Sequence, residues 1–311
     1  MDYRQLRYFV AVAEELNFSR AARRLNITQP PLSMQIRAME EEIGTLLFER
    51  TRRRVELTQA GRVLLEQAHA SLSQLERAAE LARRAGRGEA GELSIAFTGS
   101  VPLVDAFSAI VRALRERFPL ARLELSHQST GQQLQALLAR RLDVGLLRPS
   151  HLFEPPPQLA VREIWRDELR VVLPLGHRLA RDRAAIAVED LAQESFLMFP
   201  RGLGCGLHDH VMGLCSRAGF APHVAQEARE GVTLIGLVAA GMGIAVLPDS
   251  YARAPIGGVV HLPLASAHAG SRLLLAWAAR DASPLVQRFV EIAAEHVSIL
   301  TGKPRPPEVF A

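Results

Sequence analysis

Over residues 3–14 the apolar positions Leu6, Phe9, Val10 and Ala13 recur at helical spacing, which predicts a short amphipathic helix with one buried stripe. A second helix is expected around Ala21, Ala22 and Leu25, with Asn17 or Ser19 as its N-cap. Asn26-Ile27-Thr28 interrupts it. Gln29-Pro30-Pro31 then opens a third helix, because proline in a first turn removes no helical hydrogen bond. Leu32, Ile36, Met39 and Ile43 make the apolar face of that helix, Gln29, Ser33, Gln35 and Arg37 lie on its other faces, and Gly44 ends it. Residues 46–50 and 55–57 read as two short strands around the basic tip 51–54, the outline of a wing.

After Thr58 the pattern turns helical for about 26 residues, a rod of roughly 40 Å at 1.5 Å per residue, too long for a sixty-residue domain alone. Leu65, Ala68, Leu72, Leu75, Ala79 and Ala82 are spaced alternately by three and four, a seam that calls for a second subunit. A glycine-rich stretch follows, and from Leu93 short apolar strands alternate with amphipathic helices: 93–97, a helix to Phe118, 122–125, a helix to Leu142, then 144–147. That βαβαβ order predicts a mainly parallel sheet. Residues 160–174 read as a pair of strands, further units fill 195–247, and a strand at 273–278 precedes a last helix from Pro284.

The expected fold class is therefore α/β multidomain. It comprises a winged helix-turn-helix over 1–58, a linker helix over 59–86, a hinge at 87–91, a second, α/β domain over 92–302 and a tail at 303–311. Within the second domain, 92–161 and 266–302 form one lobe and 162–265 the other, with a cleft between them.

Composition changes this picture little. The 311 residues are 48% hydrophobic, enough for real cores, and no run of eighteen apolar residues suggests a membrane span. Cys205 and Cys215 make no disulfide framework, so a reducing cytoplasm is expected. The net charge of +4 suits a polyanionic partner without requiring one. Its placement says more, because Arg50, Arg52, Arg53 and Arg54 cluster at the wing.

A helix-turn-helix presents its second helix to the major groove of double-stranded DNA, where each base pair shows its own donor and acceptor pattern. Gln29, Ser33 and Arg37, four apart, share a face and are the expected readers; Pro30 can touch a thymine methyl, and Ser19 and Thr28 flank them. The wing arginines are expected on phosphates or in the minor groove. The run Phe18-Ser19-Arg20-Ala21-Ala22-Arg23-Arg24-Leu25-Asn26-Ile27-Thr28-Gln29-Pro30-Pro31-Leu32-Ser33, then Leu47-Phe48-Glu49-Arg50 and Leu57-Thr58-Gln59-Ala60-Gly61, resembles the signature of LysR-type transcriptional regulators. Met34 stands where many members carry arginine. The resemblance implies a homotetramer built as a dimer of dimers, a periplasmic-binding-protein-like effector domain, and an inducer that alters DNA bending and contact with RNA polymerase.

In open α/β sheets ligands sit beyond the carboxyl ends of strands, near helix N-termini. Thr98-Gly99-Ser100 and Ser129-Thr130-Gly131-Gln132-Gln133 occupy such positions, with Thr130 and Gln133 spaced as a capping box, and Arg148 ends a strand. Phe199 and Pro200 face them from the other lobe. Two hydroxyls and a guanidinium suit a carboxylate. By the resemblance, Ser100, Thr130 and Arg148 match inducer-binding positions in regulators responding to benzoate, muconate and chloromuconate, which implies a role in aromatic compound catabolism. Cys205, His208, His210 and Cys215 fit no zinc spacing, Ser100 sits in no Gly-x-Ser-x-Gly elbow, and no nucleotide motif occurs. No enzyme activity, cofactor or metal is expected. Oxidation of Cys205 and Cys215 is the alternative signal.

Overall fold

Asp2 opens α1 (Tyr3–Glu15) with a reciprocal cap: its carboxylate accepts from the Gln5 amide at 2.8 Å and the Gln5 side chain accepts from the Asp2 amide at 2.9 Å. Asn17, not Ser19, caps α2 (Phe18–Arg24), accepting from Arg20 N–H at 3.0 Å. Asn26 takes the left-handed conformation (φ +55°) that asparagine tolerates, and the chain turns into α3 (Gln29–Ile43), which ends at Gly44 (φ +79°). The computed structural model describes residues 1–51, 54–150 and 152–301. They fall into two units, the first ending at Arg84 and the second beginning at Ala85.

In the first unit β1 (Phe48–Arg50) pairs antiparallel with β2 (Val55–Leu57), and α4 (Gln59–Gly86) follows. Phe9, Phe18 and Phe48 meet at its centre, with ring centroids 5.4 Å and 5.9 Å apart across Phe48. The buried stripe of α3 is Leu32, Ile36, Met39 and Glu40; Ile43, expected there, is exposed. Glu40 takes the last buried turn because its carboxylate accepts from the amides of Leu47 and Phe48 at 2.9 and 3.1 Å, satisfying backbone that β1 leaves unpaired. Along α4, Ala68 is buried and Leu65 and Leu72 half-buried against this core, whereas Leu75, Ala79 and Ala82 are exposed.

The second unit contains β3 (Ala90–Phe97), α5 (Asp105–Arg117), β4 (Leu120–His127), α6 (Thr130–Leu138), β5 (Val144–Leu147), β6 (Leu159–Pro174), β7 (Ile186–Ala187), β8 (Ser195–Met198), α7 (Gly206–Arg217), β9 (His223–Glu227), α8 (Gly231–Ala239), β10 (Ala245–Pro248), β11 (Val259–Ala265), β12 (Gly270–Ala278) and α9 (Pro284–Thr301). Ala90 and Gly91, expected in a hinge, are the first residues of β3. Among the described residues an eight-stranded sheet runs β4-β3-β5-β12-β6-β11-β7, with β10 also on β6. Only part of it is parallel, as the βαβαβ pattern requires of β3, β4 and β5; β12 joins β5 antiparallel, and β6 receives β12, β10 and β11 antiparallel.

β6 is one strand of 16 residues, not the expected pair. It pairs with β12 over Leu159 to Glu168 and with β10 and β11 over Leu169 to Pro174, so it passes from one lobe into the other. The polar Arg166-Asp167-Glu168 that looks like a turn is this crossing. One lobe packs around Leu93, Ile95, Ile110, Leu275 and Phe289, the other around Val171, Leu173, Phe196, Leu234 and Leu247. β8 and β9 form a parallel pair tied to the second lobe, Leu197 N–H donating to the Ile244 carbonyl at 2.7 Å.

Candidate nucleic-acid interface and ligand pocket

The exposed ridge of α3 begins at its first turn. Gln29 and Pro30 are exposed, Ser33 is half-buried, Met34 and Arg37 are exposed, and Thr28 is the N-cap residue without a side-chain cap bond. Ser19 Oγ donates to Gln29 Oε1 at 2.9 Å, which ties the start of α3 to α2. The four-residue spacing thus delivers a polar row over a buried Leu32–Ile36–Met39 face, the arrangement a groove-reading helix needs.

The wing arginines divide. Arg50 points inward: its Nη2 lies 2.6 Å from Glu40 Oε2, and its guanidinium stacks 4.9 Å from the Phe18 ring centroid. Expected as a phosphate grip, Arg50 thus has its charge matched inside the unit. Arg54 sits in the turn closed by Thr51 N–H to the Arg54 carbonyl (2.9 Å) and pairs with Glu56. Arg52 and Arg53 lie outside the described residues.

In the second unit a cavity of about 200 Å³ opens between the lobes, beyond the ends of β3 and β5. Thr98, Gly99, Ser100 and Arg148 line it from one side, Phe199, Leu203 and Leu207 from the other. Thr130 lies beneath it, buried, with Oγ1 donating to the Arg148 carbonyl at 3.2 Å. Pro200 is outside the lining and precedes a short 3-10 turn. Ser129 with Gln132, not Thr130 with Gln133, forms the capping box of α6. Ser100 caps nothing with its side chain, since only a 3-10 turn starts there and α5 begins at Asp105.

Arg148 departs furthest from expectation. Nε donates to Ser100 Oγ at 2.7 Å; Nη1 donates to Asp167 Oδ1 at 2.6 Å and Ser271 Oγ at 2.8 Å; Nη2 donates to Asp167 Oδ2 at 3.0 Å and Ser250 Oγ at 3.2 Å. A guanidinium has five donors, so none is left for a ligand carboxylate. Both partners of the Arg148–Asp167 pair are about 7% exposed, and the four groups they hold come from both lobes. Asp167, Ser250 and Ser271 carry no motif; a polar triplet inside a strand-forming run was the one legible hint.

Tyr251 is a second residue that spacing does not reveal. It is buried among the second lobe's core residues, lines the cavity, and its ring fills the space beside Gly231, where a side chain would collide with it. At the rim His127 Nδ1 and Glu230 Oε1 face each other at 3.4 Å, one from each lobe. Burial pushes the Cys205 thiol up from its ordinary value and the Cys215 thiol up to about 11, so neither is a ready thiolate. They stand at the start and in the last turn of one helix, roughly 15 Å apart by helical rise, beyond disulfide reach. His208 and His210 are held by the carbonyls of Phe199 and His268, each at 2.8 Å.

Residues 3–62 match the family described as bacterial regulatory helix-turn-helix protein, lysR family, and residues 86–298 match the LysR substrate binding domain. The chain is 41% identical over 290 residues to the uncharacterized HTH-type transcriptional regulator YnfL of Escherichia coli (strain K12), covering 93% of this chain and 96% of that one. It is 37% identical to the HTH-type transcriptional regulator AlsR of Bacillus subtilis (strain 168), covering 94% and 95%. The crystal structure of full-length CbnR complexed with its target DNA is similar with a TM-score of 0.79 and 29% identity, over 96% of this chain and 100% of that one.

Proposed function

The chain belongs to the LysR-type transcriptional regulators, DNA-binding proteins and not enzymes, and on that premise we propose that it answers to a small carboxylate, an aromatic acid or a muconate-like dicarboxylate, bound between its effector lobes. The observation that carries this reading is the cavity itself, walled by Ser100 and Gly99 on one lobe and by Phe199 on the other, so that an occupant touches both. Arg148 serves it by fixing the Ser100 hydroxyl rather than by touching the ligand.

Gln29, Ser33 and Arg37 read bases in the major groove, Ser19, Thr28 and Pro30 adjoin them, and Arg54, with the wing residues Arg52 and Arg53, holds phosphates. The protein works in the cytoplasm as a dimer joined along α4, two dimers making a tetramer that RNA polymerase meets at the promoter. Exposed Leu75, Ala79 and Ala82 support the dimer, since they continue a seam whose first half is already packed. Control of aromatic catabolism follows from the ligand class.

A thermal-unfolding panel of aromatic acids and muconates tests the proposal. A ligand at a hundred times its dissociation constant adds about 2.7 kcal/mol, several degrees on the second unit's transition. No shift with any acid would remove this ligand class.

A further inference from the structure

Resting on the reading that the cavity takes a small acid, we propose that its occupant carries one negative charge, not two, and that Tyr251 reads that charge through its phenol hydroxyl. Among the described residues lining the cavity, the cationic side chains are Arg148 and Arg229, and the imidazole is His127. Asp167 neutralises Arg148 with two hydrogen bonds, Glu230 faces His127, and Arg229 stands exposed at the rim next to Glu230 in sequence. No uncompensated buried cation remains to offset a second carboxylate.

Neutral donors are plentiful. Ser100 Oγ accepts from Arg148, so its own proton is available. Thr98 Oγ1 is buried in the wall and has no hydrogen-bond partner among the described residues. Tyr251 is 4% exposed and reaches the lining, and among the described residues its hydroxyl has no hydrogen-bond partner. A methyl group placed on Gly99 would lie 3.2 Å from Tyr251 Oη, 3.4 Å from His127 Nε2 and 3.6 Å from Glu230 Oε2, so these three polar groups converge over the Gly99 backbone. Burial pushes the Tyr251 phenol well above its ordinary value, which keeps it a donor.

A single carboxylate can accept from the Tyr251, Ser100 and Thr98 hydroxyls, the mode by which neutral donors hold an anion in a site of low polarity. The other end of the ligand then rests on Phe199, Leu203 and Leu207. A second carboxylate laid against those apolar side chains loses hydration without replacement, and the rim, where Arg229 and Glu230 stand together, offers it no net positive charge.

Matched pairs test this by titration calorimetry of the full chain: benzoate against terephthalate, and sorbate against trans,trans-muconate, which differ by one carboxylate. The monoacid of each pair is expected to bind at least tenfold tighter. Tyr251→Phe, which keeps the ring that packs on Gly231, is expected to weaken monoacid binding roughly ten- to a hundredfold. Glu230→Gln is expected to narrow the gap within each pair. Diacids binding as tightly as monoacids, or an unchanged Tyr251→Phe, would overturn the inference and leave the carboxylate reading standing. Binding of none of the four acids would remove both.

Discussion

Arg50 shows how far a residue's type can mislead about its work. In the sequence it is the first of a basic cluster; in the structure it faces Glu40, which is 6% exposed and also holds the amides of Leu47 and Phe48. Removing one partner of such a pair leaves a buried charge unmatched, which costs more than the pair itself contributes. Arg50→Ala is therefore expected to lower the stability of the N-terminal unit by about 2–4 kcal/mol in denaturant unfolding, with the salt dependence of DNA binding unchanged. A stable variant whose salt slope falls by about one would return Arg50 to the phosphates. Spacing could not show this, because Glu40 reaches Arg50 only once α3 and β1 pack together. The same limit explains Ser129: it and Thr130 are equally good caps by composition, and only the backbone decides between them.

At the scale of elements, periodicity carried the reading well over regular helices and over short, fully apolar strands. α3 and α4 and the strands β5 and β8 lie where the pattern placed them. It failed at β6, because a strand that changes lobes must expose polar residues at the crossing, and exposure is also what a turn looks like. The seam of α4 yields a prediction: Leu75→Glu should weaken self-association at least a hundredfold in sedimentation velocity, since a charge would enter an apolar interface. Unaltered association would place the dimer contact elsewhere. β11 yields another. His261 has a buried Nδ1 without a partner, and burial, then nearby Arg170, pushes its pKa below the ordinary value while Asp249 opposes them. The unfolded chain thus takes up the proton more readily, so this contribution is complete above the ordinary imidazole pKa of about 6.5 and is lost as pH falls. Unfolding midpoints measured from pH 8 to 5 should drop less steeply in His261→Gln; identical slopes would exclude His261 as a source.

At the scale of the whole molecule, the two units answer separate demands, and Arg148 tests whether they also fail separately. The division into a DNA-reading half and a lobed half was legible, because a long helical run and a change from helical to βαβ patterning mark it. The wiring of the lobed half was not, since Arg148, Asp167, Ser250 and Ser271 lie on four stretches of chain that only the sheet order brings together. If Arg148 were chiefly a ligand contact, Arg148→Ala would cost affinity and little stability. The five filled donors argue the reverse: the substitution strands the Asp167 carboxylate, with Ser250 N–H at 3.2 Å as a remaining donor, and should destabilise the second unit by about 3–5 kcal/mol. The first unit shares none of these partners, so its transition in calorimetry should stay in place, as sites without shared partners act additively. Combining Arg148→Met with Asp167→Leu should recover most of the loss, because two well-packed apolar side chains need no charge match. A double variant no more stable than Arg148→Ala would mean that the serines, rather than the ion pair, hold the lobes at this crossing.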